Sequence, residues 1–135
     1  MSIPLKTGLT AEYALTVDDS LLADRIGSGR VSVYATAMMI AGMEHAAVEA
    51  VADALESGLT TVGTLVNVKH LAATPSGMKV RCTAELTAVT PNGKGLTFQV
   101  KAHDEAGLIG EGIHERVVVN RASFQDRTQA RKGSA

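Results

Sequence analysis

A slim helix constrains this chain more than any other feature. From Tyr34 to Glu56 the sequence is rich in Ala, Met and Glu, residues that favour helix. Met39, Met43, Ala47 and Val51 fall at helical spacing. Ala35, Ala37, Ala41, Gly42, Ala46, Ala47 and Ala50 strip the surface of bulk, so other elements can approach closely. Ser57-Gly58 ends the helix.

Strand-like segments surround it. Thr10 to Val17 alternates, with Tyr13, Leu15 and Val17 on one side. Asp18-Asp19-Ser20 is suited to cap a short helical turn through Ile26, and Gly27-Ser28-Gly29 breaks the chain. After the helix come Thr60–Leu71, Met78–Val89, Leu96–His103 and Leu108–Asn120. Met78, Val80, Cys82, Ala84, Leu86 and Ala88 form one row, and Leu96, Phe98, Val100 and Ala102 another. Pro91-Asn92-Gly93 and Asp104-Glu105-Ala106-Gly107 are turns. The order is a strand, a long helix, then four strands in hairpin succession. It predicts an α+β domain over residues 1–120, in which an antiparallel five-stranded sheet wraps a central helix. Residues 121–135 form a polar tail expected to fray, with Phe124 docking. A sheet edge and an uncovered helix side are liabilities for a monomer, and symmetric dimerisation covers both.

Composition narrows the function. With 135 residues the chain is long enough for one domain with a real core. A net charge of −1 and 3% aromatic residues argue against a basic or base-stacking nucleic-acid surface. The lone Cys82 can make neither an intrachain disulfide nor a cysteine-based zinc site, and its core-facing row suits a structural thiol. Met1-Ser2-Ile3-Pro4-Leu5-Lys6 lacks the apolar run of a signal peptide, and no stretch approaches the ~20 apolar residues of a bilayer span. A cytoplasmic protein that does not engage membranes is expected. Nucleotide, zinc-protease and α/β-hydrolase motifs are absent, and the four histidines have no metal-ligand spacing.

Two ionisable groups stand out. On strict alternation Val62, Thr64, Val66, Val68 and His70 share a mostly apolar face, which ends in an imidazole before the turn at Pro75. Glu44 lies between Met43 and Ala46-Ala47 in the helix; a buried carboxylate there must be paired or used, whereas a partly exposed one needs no function. His70 is equally readable as a core or rim histidine. His103 falls on a polar strand face and is expected to be solvent-exposed; His45 is expected to be structural. His114 shares a face with Gly110, Gly112 and Arg116, where the glycines imply close approach of a backbone, a ligand or the slim helix.

Three blocks then carry a family resemblance. They are Ala35-Thr36 with Gly42-Met43-Glu44 eight residues past the threonine; Gly63-Thr64 with Val68-Lys69-His70 and the Ala-Ala-x-Pro-x-Gly turn; and Ala102-His103-Asp104 with Gly110-Glu111-Gly112-Ile113-His114-Glu115-Arg116. In order and spacing, over roughly residues 31–124, they resemble the hot dog thioesterases, in particular the fluoroacetyl-CoA thioesterase branch. The resemblance implies a homodimeric hot dog fold that hydrolyses acyl-CoA thioesters without metal or added cofactor, coenzyme A being part of the substrate. It places the catalytic Thr, Glu and His at Thr36, Glu44 and His70, a glycine near the thioester at Gly63, and a last-strand arginine, assigned to substrate binding, at Arg116. The fluoroacetyl-specific branch carries phenylalanines shortly before its threonine; here Ile26 to Tyr34 has no Phe and Tyr34 as its one aromatic residue. The expected preference is therefore a small or medium acyl-CoA, not tuned to fluoroacetyl-CoA. Two rivals remain: a non-catalytic acyl-CoA-binding hot dog protein, which has no need of Glu44 and His70 together, and a hydratase of the same fold, whose Asp-x-Asn-x-x-x-His pattern is absent.

One distance limits the site. Eight residues along a straight helix separate Thr36 from Glu44 by about 12 Å. Either Thr36 belongs to the pre-helix segment and folds back, or a dimer mate brings its own Glu44 to the helix start.

Overall fold

The computed structural model describes residues 3–134; Met1, Ser2 and Ala135, at the ends of the leader and tail segments read above, lie outside the described residues. Strand β1 (Thr10–Thr16) leads through a turn capped by Asp18 to a short helix α1 (Ala23–Ile26). Gly27 ends α1 at φ 82°, a left-handed backbone that glycine adopts without a Cβ clash. Helix α2 runs Thr36–Val51 and tightens into a 3₁₀ turn at Ala52–Ala54, shorter at both ends than the sequence pattern suggests. Strands β2 (Leu59–His70), β3 (Lys79–Val89), β4 (Gly95–Asp104) and β5 (Gly107–Asn120) follow.

All five strands form one antiparallel sheet in the order β1-β3-β4-β5-β2. Only β3-β4-β5 are joined as hairpins. The expected succession fails at its first step, because β2 pairs with β5 and not with β3. The segment Leu71–Met78 is a crossover. It is fixed at the start of α2, where Tyr34 N–H donates to Thr74 O (2.8 Å), and at β4, where the Thr74 hydroxyl donates to Asp104 (2.7 Å).

The core lies between α2 and the curled sheet. Met39, Met43, Ala46, Ala47 and Val51 meet Val80, Cys82, Leu86, Leu96, Phe98 and Val100, all essentially without exposed surface. Each fully buried large side chain here is worth about 1.5–3 kcal/mol. The slimness of α2 does what the sequence requires of it: a Cβ on Gly42 would stand 2.7 Å from Cys82 Sγ, so β3 packs against the helix itself. Cys82 is buried, and desolvation pushes its thiol up to about 11, away from reactive thiolate chemistry.

Strict alternation breaks at three places, one of them between β4 and β5, where Ile109 is the extra residue. In β3 the register shifts between Leu86 and Ala88, so Ala88 is exposed and Val89 turns inward in its place. In β2 it shifts between Gly63 and Leu65, leaving Thr64 as the extra residue. Val66, Val68 and His70 do share a face, opposite His114, Gly112 and Gly110, but beyond the bulge Thr61 and Gly63 join that face in place of Val62. The tail does not fray at residue 121. Asn120 caps a third helix, α3 (Arg121–Ala130), by accepting from Ser123 N–H (3.0 Å), and Phe124 is half-buried beneath Arg127.

Candidate active site

Thr36 is the first helical residue of α2 and not part of a folded-back loop. Its hydroxyl lies 2.7 Å from His70 Nδ1, a contact between residues 34 apart in sequence. Both backbones are held. Ala35 N–H donates to Leu21 O (2.9 Å) and Leu71 N–H to Ile109 O (2.6 Å), so neither the helix start nor the end of β2 is free to drift. Ala35, the residue before the helix, offers no side-chain cap, which leaves first-turn amides at the positive end of the helix dipole. Burial holds the His70 imidazole below its ordinary value, with the Ala72 backbone pulling the other way, and Nε2 is buried without a partner among the described residues. The neutral form of the ring is therefore favoured at physiological pH. An open pocket of about 310 Å³ borders the pair, lined by Ala23, Ser28, Val33, Leu71 and Ala72. Tyr34, the one aromatic residue between Ile26 and Thr36, also lines this pocket; it is buried, with its hydroxyl donating to Met38 O (3.1 Å).

Glu44 lies elsewhere. Two turns along α2, its carboxylate meets Arg116 Nη1 at 3.4 Å and His114 Nε2 at 3.9 Å, and its side chain is 41% exposed. The acidic helix residue is thus paired, across 72 residues of sequence, with a group on β5. Arg116 is buried and its donors are taken: Nε by the Thr61 hydroxyl (2.8 Å), Nη2 by Thr61 O (2.9 Å), and Nη1 by His114 Nε2 (3.0 Å) and Glu44. Burial lowers its pKa, and Glu44 counters that shift. Gly63 faces the same cluster. A Cβ there would lie 3.0 Å from Glu44 Oε2, 3.2 Å from His114 Cε1 and 3.4 Å from Arg116 Nη1, so the glycine leaves room for the carboxylate.

One chain thus presents two polar clusters, Thr36–His70 at the start of α2 and Glu44–Arg116–His114–Gly63 two turns away. The glycines beside His114 have separate reasons: a Cβ on Gly110 would strike Met39 of α2, and one on Gly112 would strike the β2 backbone at Asn67 and Val68. His45 stacks on Tyr13 with centroids 3.9 Å apart. His103 is half-buried, not exposed as its polar strand face suggests, and its Nδ1 is enclosed. No group of three or more potential metal ligands occurs among the described residues. No helix among them is long and apolar enough to cross a membrane.

Solved structures define the class first. One of the fluoroacetyl-CoA thioesterase superposes with a TM-score of 0.87 at 33% identity, covering 95% of this chain and 98% of the other. A thioesterase superfamily member from Thermus thermophilus gives 0.87 at 30% identity, over 97% of this chain and 96% of its own. The fold is that of the hot dog thioesterases. Within that class, the model of the fluoroacetyl-CoA-specific thioesterase family matches residues 17–122. The fluoroacetyl-CoA thioesterase of Streptantibioticus cattleyicolor is 43% identical over 97 residues, 72% of this chain and 68% of that protein. The chain belongs to the fluoroacetyl-CoA-specific thioesterase family.

Proposed function

We propose that this protein is a homodimeric thioesterase that hydrolyses a small or medium acyl-CoA to the free acid and CoA, without a metal. The observation that carries the reading is the 2.7 Å contact between the Thr36 hydroxyl and His70 Nδ1 at an uncapped helix start. A hydroxyl in direct contact with a neutral imidazole is a nucleophile–base pair. Thr36 Oγ1 attacks the thioester carbonyl as its proton passes to His70 Nδ1. First-turn amides of α2 stabilise the oxyanion. The carbon–sulfur bond breaks and His70 returns the proton to the CoA sulfur. Water then cleaves the Thr36 ester and regenerates the hydroxyl.

Glu44 activates that water, and it does so from the partner protomer. Within one chain it is too far along α2 from Thr36, eight residues or about 12 Å. The partner is expected on β2, one of the two edge strands of the sheet. There Leu65 and Val66 are each 43% exposed, and Val66 lies on the inner face beside the site cluster. Pairing at this edge covers apolar surface and free backbone groups together. The single cysteine and a CoA substrate suit a cytoplasmic setting.

Around Thr36 and His70 the acyl pocket is lined by small and aliphatic side chains and by the buried Tyr34, with no phenylalanine among its lining residues, which supports a preference not tuned to fluoroacetyl-CoA. Thiol release measured on acetyl-, fluoroacetyl- and longer acyl-CoA esters tests the whole reading. Turnover that His70→Ala abolishes, without a large excess for fluoroacetyl-CoA, is expected. Tight binding of the esters without turnover would instead identify an acyl-CoA-binding protein.

A further inference from the structure

His114 is 1% exposed and has no part in the reaction just described, yet both its ring nitrogens are committed. Nδ1 meets Leu65 O at 2.8 Å, and Nε2 meets Arg116 Nη1 at 3.0 Å. A carbonyl only accepts and a guanidinium only donates. The ring must therefore be neutral, protonated at Nδ1, and an acceptor at Nε2. The groups that face it are few: Arg116 from its own strand, Glu44 from α2, Leu65 O and Gly63 from β2, and the apolar ring of Phe98 from β4, centroids 6.4 Å apart. The bulge at Thr64 sits next to Leu65 and sets the register that brings Val66 opposite His114.

We infer that His114 is a positioning residue for Glu44: by accepting from Arg116 Nη1 it aims the guanidinium whose same nitrogen holds the carboxylate. This rests on Glu44 being the water-activating carboxylate. Arg116 Nη1 is shared between His114 Nε2 and Glu44 Oε2, so removal of the acceptor frees that nitrogen to move. Protonation of His114 has the sharper consequence. An N–H at Nε2 would face the N–H of Arg116 and push it away, while Glu44 Oε2, already 3.9 Å from Nε2, would be drawn to the imidazolium. The cluster thus keeps Glu44 correctly aimed only while His114 is neutral.

Gln and Asn at this position separate the two bonds. A Gln side chain is long enough to offer its carbonyl oxygen to Arg116; an Asn side chain can still donate to Leu65 O but stops short of Arg116. His114→Asn is expected to lower kcat about tenfold or more, the scale of a misplaced catalytic group, with KM within about twofold and His114→Gln recovering most of the loss. On a Glu44→Gln background, His114→Asn should cost nothing further, because its effect passes through Glu44. Wild-type kcat in His114→Asn, a loss that Gln does not rescue, or a full additional loss on the Glu44→Gln background would each overturn the inference. If Glu44→Gln alone turns over at the wild-type rate, the role of Glu44 is what fails, and that result is distinct from the others.

Discussion

The two halves of the sheet are built to different rules. On the β1-β3-β4 side the inward row is apolar and buried, in spite of the shift after Leu86: Val80, Cys82, Ala84 and Leu86 lie beside Leu96, Phe98, Val100 and Ala102 beneath α2. On the β5-β2 side the inward row carries His114, Arg116, Thr61 and His70, the strand is bulged at Thr64, and Val66 remains exposed. A buried apolar row is enough to hold a helix. A buried arginine is tolerated only where its donors are matched, and here it makes four hydrogen bonds to three residues. One half is therefore a scaffold, and the other keeps polar groups at a cost that stability alone does not justify.

This contrast is broken or upheld first by substitutions on either side. Thr36→Ala, His70→Ala and Glu44→Gln should each cut kcat by about 10²–10⁴ while the folded dimer persists. Leu86→Ala should do the opposite, costing about 2–5 kcal/mol of stability with activity per folded molecule kept. Paired denaturation and thiol-release assays compare them. If Leu86→Ala silenced folded enzyme, or the three polar variants merely melted earlier, the division would be wrong. His103→Ala, half-buried on β4 and in neither polar cluster, is the histidine control, and its rate should stay near wild type.

The next effect tests whether the polar half is completed by a second copy. Glu44→Gln and His70→Ala chains, each nearly inactive alone, are mixed and allowed to exchange. With Glu44 acting across the interface, half the dimers are mixed and each holds one intact site, so the mixture recovers about a quarter of the wild-type rate. No recovery, with exchange verified by mass, would place each site within one chain.

Gly63→Ala sharpens the contrast on a smaller scale. Its Cβ would press the Glu44 carboxylate at 3.0 Å, tighter than ordinary contact. A fall in kcat of about 10–10²-fold is expected, with little change in melting temperature. An unchanged rate would mean that the carboxylate has room to move without consequence.

The smallest effect is that of pH. Burial places both His70 and His114 below the ordinary imidazole value. As pH falls below about 6.5 the unfolded chain takes up protons that the folded chain resists, so stability is full above that point and declines as pH drops through the folded values. Melting temperature should decrease from neutral pH toward pH 5, and less steeply in His114→Gln. Activity should hold to a lower pH than an ordinary imidazole base would allow. A melting temperature flat across this range would mean that both rings protonate freely in the fold.

Much of this was legible in the residues. Alternation located all five strands to within a residue or two, and small residues marked α2, because both signals are local and repeat with the geometry of the element itself. The blocks around Thr36, Glu44 and His70 carried the family, and Gly63 was drawn from the same resemblance. His114 was noticed only for the glycines beside it; the sequence spacing His114-x-Arg116 puts both on one strand face, and that was the available signal.

The sequence by itself determined the elements, the slim helix and the residue types that such chemistry needs. Tertiary structure alone decided how they meet. The crossover at Thr74 sends β2 to the far edge of the sheet, where it pairs with β5. The bulge at Thr64 puts Gly63 and Thr61, not Val62, on the site face, and one extra residue in a ladder becomes visible only against the partner strand. Glu44 finds Arg116 across 72 residues, and Thr36 finds His70 across 34. Periodicity records what a residue does within its own element; a contact between elements depends on where the whole sheet places the other partner.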